Sequence, residues 1–210
     1  HCISSAASDV YKRQSLVRSH AAGTGPEVEE EVIRALMLLR LSTLCTGRTG
    51  VRPVVVETYA KALNAGIVPV VREYGSLGCS GDLAPLAHCA LALLGEGEVR
   101  VNGELKDAGD ALAAAGIEPL QLREKEGLAL INGTDGMLGQ LCLAITDLRA
   151  AAKTADIATA MTVEGLLGTL VVFADDLQQL RPHPGQADAA ANILQAVSYT
   201  HLRAHETVLD

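Results

Sequence analysis

The sequence predicts a mainly α-helical protein with one long helix, a glycine-rich loop and a small β-hairpin. Apolar residues make up 49% of the 210 positions but aromatic ones only 2%. That apolar content is mostly Ala, Leu and Val, which suits close-packed helices better than sheets. From about Gly136 to Ala160, the positions Leu141, Ile145, Leu148, Ala152 and Ala155 repeat at helical spacing, and the small residues on that stripe allow close helix approach. Gly75, Gly78 and Gly81 lie three apart, giving a stretch free to take positive φ and sharp reversals.

The formal net charge of −8 comes without any basic cluster, which argues against nucleic acid and membrane surfaces as partners. No continuous apolar run is long enough to be read as a bilayer span. The five cysteines have no metal-ligand spacing and no secretion signal precedes them, so a reduced, cytoplasmic protein without a metal is expected. Residues 1–14 and 197–210 hold three of the six histidines and two of the four tyrosines but show no amphipathic period. They resemble translated adapter read-through and are set aside as non-native tails, leaving 15–196 as the native domain.

In chain order, Ser15 to Gly25 is a short apolar turn closed by glycines and containing His20. Taken alone, such a histidine is more often structural than a ligand. Pro26, followed by Glu27, Glu29, Glu30 and Glu31, predicts a helix start, with Pro in the first position and carboxylates near the positive end of the dipole. Val32, Ile33, Leu36, Met37, Leu39 and Cys45 continue it to Gly47. Arg48 to Pro53 is a turn, and Arg48 and Arg52 suit either an interface or a cap. A second helix spans about Val54 to Asn64, and Asn64 to Val71 is extended. Asp82 is a good N-cap, with Pro85 in the first turn of the helix that follows, and His88 and Cys89 on that helix read as packed residues. Glu98 to Leu105 alternates in polarity around Asn102-Gly103, a strong hairpin signal, and reads as a surface excursion. Asp110 to Ala115 is a short helix. Asn132 stands between an apolar run and Gly133, where a turn or cap is the ordinary reading. Arg181 to Gln186 is a Pro-fixed loop in which His183 is structural.

The stretch Gly75-Ser76-Leu77-Gly78-Cys79-Ser80-Gly81-Asp82-Leu83-Ala84-Pro85-Leu86-Ala87-His88 carries the chemistry. It lacks the Lys-Ser/Thr pair of a phosphate cradle and the pattern of a nucleophile elbow. It resembles the aromatic amino acid ammonia-lyase family, and within it the histidine-specific members. Ser19-His20-Ala21-Ala22-Gly23 and Glu126-Gly127-Leu128-Ala129-Leu130-Ile131-Asn132-Gly133-Thr134 extend the resemblance, which covers nearly everything from Ser15 to about Ala196. Cys79 stands where most members have Ala, and Asp135 where many have Gln.

The resemblance implies a long-helix bundle of the ammonia-lyase/aspartase-like type. It also implies that Cys79, Ser80 and Gly81 cyclise autocatalytically into a methylidene-imidazolone (MIO), with no external cofactor. In that reaction the Gly81 amide nitrogen attacks the Cys79 carbonyl carbon. Loss of two waters then leaves Ser80 Cβ as an exocyclic methylene. The Cys79 side chain stays outside the new ring, so only its small size matters. His20 would help recognise the substrate ring and Asn132 would bind substrate near the electrophile. The implied activity is non-oxidative deamination of L-histidine to trans-urocanate and ammonia by a cytoplasmic homotetramer. Tyrosine or phenylalanine lyases and aminomutases of the same family are the alternative. So is an inactive fragment, because the base, an arginine and a carboxylate that the family uses match nothing between Ser15 and Ala196.

Overall fold

The computed structural model describes residues 14–78 and 81–198. They divide into two compact units, one ending at Leu143 and the other beginning at Ala144. Helices dominate both, as composition and periodicity predict.

The first unit starts with helical residues 14–20 (α1), followed by β1 (Thr24–Glu27), α2 (Glu30–Cys45), α3 (Pro53–Asn64), β2 (Ile67–Pro69) and β3 (Arg72–Tyr74). After the glycine-rich loop come α4 (Leu83–Leu93), the β4 (Glu98–Val101) and β5 (Glu104–Asp107) hairpin, α5 (Ala108–Ala114) and α6 (Glu126–Ile131). The start of α7 (Asp135–Gly165) completes the unit. Its core is continuous across these elements and includes Val17, Leu36, Tyr59, Leu86, Leu112 and Ile131, each buried to 1% exposure or less.

Several local signals act as the sequence predicts. Pro53 opens α3, where its missing N–H has no intrahelical partner to lose. Asn102 and Gly103 take φ of 54° and 80°, so the two-residue turn twists with the strands it joins. Asp107 caps α5 by accepting from the Gly109 amide at 2.8 Å.

Two expectations are corrected. Pro26 lies in β1, which pairs antiparallel with β3 with a register irregularity between Thr24 and Glu27. Pro is tolerated there because β1 is an edge strand. Val28 then donates to the Val71 carbonyl at 2.9 Å, keeping the chain extended until α2 begins at Glu30. Glu27 is consequently not a helix carboxylate: Arg100 donates to its two oxygens at 2.7 and 3.1 Å, which lowers its pKa against the effect of burial. Nor is the hairpin a surface excursion. Its first strand, β4, is the central strand of a sheet ordered β2-β4-β5, and Val99 is fully buried.

The second unit holds the rest of α7, a single 3-10 turn at Val171–Phe173, α8 (Asp175–Gln178) and α9 (Pro184–Ser198). Pro184 opens α9, so the Pro-fixed loop ends inside a helix, and the His183 carbonyl accepts from the Gln186 and Ala187 amides at 3.1 Å each. Ala160, Ile193 and Val197 form a small core with Leu170 and Phe173 against it. Leu141, Ile145 and Leu148, the predicted stripe of α7, are exposed. By length and composition alone, the helical stretch Glu126–Gly165 is long and apolar enough to cross a membrane, with a mean hydropathy of 1.3, which qualifies the expectation of no such run. Residues 132–134 interrupt it between α6 and α7, and most of α6 is buried in the first unit's core.

Candidate active site

The glycine-rich loop is held at both ends by one carboxylate. Asp82, fully buried, accepts from the Ser76 hydroxyl through Oδ1 and from the Met137 amide through Oδ2, the latter at 2.9 Å. The Gly78 amide donates to Ser76 Oγ at 3.2 Å, and the Asp82 amide donates to the Gly133 carbonyl at 2.8 Å. Asp82 does occupy the N-cap position of α4, but its side chain makes no bond to that helix. It satisfies an otherwise orphan donor in the first turn of α7 instead. Gly136 allows this, since a Cβ there would come within 3.0 Å of Asp82 Oδ2. Gly78 takes a positive φ of 63°. Gly75 is required for space: a Cβ would lie 2.9 Å from Ala84 Cβ and 3.2 Å from Gly23 Cα. Gly81 is buried, while Cys79 and Ser80 lie outside the described residues.

The backbone that crowds Gly75 belongs to the His20 segment. His20 ends α1 and is half-buried. Its Nδ1 lies 2.8 Å from the Leu16 carbonyl, which can only accept, and 3.1 Å from Ser19 Oγ. In the neutral ring the proton therefore sits on Nδ1, and Nε2 carries the accepting lone pair. Three residues on, the Gly23 amide donates to His88 Nε2 on α4 at 3.2 Å.

Asn132 approaches the other end of the loop. It is the C-cap of α6: its amide donates to the Leu128 carbonyl at 3.0 Å, and its carbonyl accepts from Arg40 Nη1 at 2.8 Å. The backbone is thus fixed on both sides while the residue itself is exposed. Arg40 is buried and lies 3.4 Å, through Nε, from Asp135 Oδ2. Burial raises the Asp135 carboxyl above its usual range, Arg40 opposes that, and the nearby Asp82 charge adds to it. A Cβ at Gly133 would strike both Asp135 and Arg40, so only glycine fits between this pair and the loop. The His20 and Asn132 segments therefore meet the loop at its two ends, Gly75 and Asp82. The cavity beneath it, lined by Arg72, Ser76, Asp82, Met137 and Gln140 among others, measures about 40 Å³, room for a water rather than an amino acid.

Arg52 stands apart from the loop. Its guanidinium binds both oxygens of the buried Glu126 at 2.8 Å each, and Glu126 also accepts from the Arg52 and Arg123 amides. Burial alone would raise the Glu126 pKa, but these hydrogen bonds outweigh it and the net shift is downward. This brace holds the start of α6. Sequence reasoning missed Arg40, the bridging role of Asp82 and the acceptor role of His88. Their partners lie 92, 55 and 65 positions away, and no local pattern signals them.

A family profile described as aromatic amino acid lyase matches residues 3–208. The chain is 61% identical to the histidine ammonia-lyase of Streptomyces coelicolor over 194 residues, which is 92% of this chain and 38% of that protein. It is 48% identical to the MIO-dependent tyrosine 2,3-aminomutase of Streptomyces globisporus over 186 residues, 88% of this chain and 34% of that protein. The crystal structure of histidine ammonia-lyase from Trypanosoma cruzi matches with a TM-score of 0.84 at 40% identity, covering 89% of this chain and 37% of that one. The chain thus spans well under half the length of these relatives. Profile match, identity and fold agree with the joined loop, His20 and Asn132 segments: the chain belongs to the aromatic amino acid lyase family.

Proposed function

We propose that this chain is the electrophile-bearing part of a histidine ammonia-lyase, which deaminates L-histidine to trans-urocanate and ammonia. Its cofactor would be MIO formed from Cys79, Ser80 and Gly81. The observation that carries the reading is the joining of the loop to the Asn132 turn through Asp82 and Gly133. A loop closed on itself by Ser76 and Asp82 favours the compression that brings the Gly81 nitrogen to the Cys79 carbonyl. MIO supplies an electrophilic carbon for the amino acid. His20 Nε2 accepts from the substrate imidazole N–H, and Asn132, exposed beside the loop, orients the amino acid. The N-terminus of α4 favours negative charge developing at the loop. The identity to the Streptomyces coelicolor enzyme supports histidine as substrate. The whole protein is proposed to be a cytoplasmic homotetramer whose further subunit segments supply the catalytic base and carboxylate clamp.

A tyrosine substrate is the second reading, because a phenol O–H also donates to an accepting Nε2 and the aminomutase relative names tyrosine. The deciding experiment uses the full-length protein carrying this segment and follows product absorbance with histidine, tyrosine and phenylalanine. Urocanate is expected from histidine, with kcat/KM falling about 100-fold in His20→Ala. An intact mass lower by two waters is expected, and Ser80→Ala abolishes that loss. Turnover of tyrosine in place of histidine selects the second reading, and a mass without the loss removes MIO. The isolated 210-residue chain is expected to be inactive, because an electrophile without a positioned base does not remove a weakly acidic β-proton.

A further inference from the structure

We propose that His88 is a positioning residue that fixes the distance between the loop's electrophile and the ring-recognising His20; this rests on the proposed function for the roles of those two groups. His88 sits on α4, whose first residue follows Asp82 directly. His88 lies six positions after Asp82, a helical rise of about 9 Å, so the element that anchors the end of the loop also reaches the His20 segment. The contact made there is specific. Gly23 N–H can only donate, so His88 Nε2, 3.2 Å away, presents its lone pair and the neutral ring keeps its proton on Nδ1. Burial, followed by the Arg72 charge, lowers the His88 pKa, which favours the accepting form.

The approach leaves no slack. A Cβ on Gly23 would lie 3.2 Å from His88 Nε2 and 3.4 Å from Arg72 Cβ, and one on Gly75 would lie 3.2 Å from Gly23 Cα. Between His20 and Gly23 the backbone is folded tightly, with the Ala22 amide donating to the His20 carbonyl at 2.8 Å. Upstream, Val17 is fully buried and the His20 ring is held by Leu16. His20 is therefore fixed on both sides, by α1 before it and by His88 after it. The second anchor ties it to the helix that carries the loop. An amino acid spanning electrophile and ring site has a set length, so freeing either end misaligns it.

The test uses the full-length protein with His88→Leu, which fills the space but accepts nothing, and His88→Gln, whose amide oxygen reaches where Nε2 stood. His88→Leu is expected to raise KM for the amino acid about tenfold with a smaller change in kcat, while His88→Gln stays within about twofold of the unaltered protein. The loss of two waters is expected to be the same in all three. Amide exchange of the peptide containing Gly23 is read in parallel and is expected to quicken in His88→Leu and to stay slow in His88→Gln. An unchanged KM in His88→Leu, or equal impairment in both variants, overturns the proposal. If the unaltered protein deaminates no amino acid, the proposed function fails, and exchange at Gly23 still judges the anchor: protection unchanged in His88→Leu overturns it.

Discussion

The two units share a composition and use it differently. In the first, Leu36, Leu86, Leu93 and Leu130 are almost wholly inaccessible, and buried charges at Arg40, Asp82 and Glu126 join distant segments. In the second, Leu148, Met161, Leu166 and Leu180 stand between 67% and 78% exposed around a core of Ala160, Ile193 and Val197. Helical periodicity identifies the apolar face of a helix in both. Whether that face is covered is a separate matter, settled by which elements lie against it, and the stability of each region follows from that cover.

The sharpest break in the comparison is expected at the Glu126 brace. Glu126→Ala removes a bidentate partner of Arg52 and the acceptor of two backbone amides, and is expected to destabilise the first unit by about 3 kcal/mol in urea unfolding. A loss below about 0.5 kcal/mol would show that water replaces the carboxylate. The same group sets an acid limit. Its folded pKa lies below its ordinary value near 4.5, so its contribution is present above that value and is lost as pH falls through the lowered folded value. Stability measured from pH 6 to pH 3 should therefore fall less steeply in Glu126→Gln than in the unaltered chain.

A smaller effect is expected in the second unit. Ile193→Ala, at 6% exposure, should cost about 2 kcal/mol, whereas Leu148→Ser, on the exposed stripe, should change stability by less than about 0.5 kcal/mol. Equal losses in this chain would mean that the α7 stripe is covered in solution. The smallest perturbation is chemical. Cys45 and Cys142 are exposed, while Cys89 is buried with its thiol pushed up to about 12. Brief treatment with a thiol reagent, read by peptide mass, should label the first two and spare Cys89, since the thiolate is the reactive form. Labelling of Cys89 at a similar rate would place the first unit's core in frequent opening.

Much of the fold was legible because its signals are local. The Pro53 start of α3, the Asn102-Gly103 turn and the Asp107 cap of α5 each act within a few residues of chain. The Pro26 start was misread because a strand partner at Arg72–Tyr74, paired 45 to 50 positions away, outweighs a good first-turn pattern. Of the candidate site, the residue types were readable at His20, Asn132 and Cys79-Ser80-Gly81 through the family resemblance.

The sequence by itself determined that the protein is mainly helical, where several of its turns and caps fall, that the loop must be glycine-rich, and which residues resemble those of a known chemistry. These follow from steric freedom, capping and periodicity, all properties of neighbouring residues. Only the tertiary structure decided that the Asp82 carboxylate serves α7 and not α4, that Arg40 holds the Asn132 carbonyl, that His88 accepts from Gly23, and that the α7 stripe stays exposed in this chain. Each depends on a donor, an acceptor or a covering surface brought in from a remote part of the chain. A buried polar group takes whichever partner the packing delivers, and sequence spacing does not say which one that is.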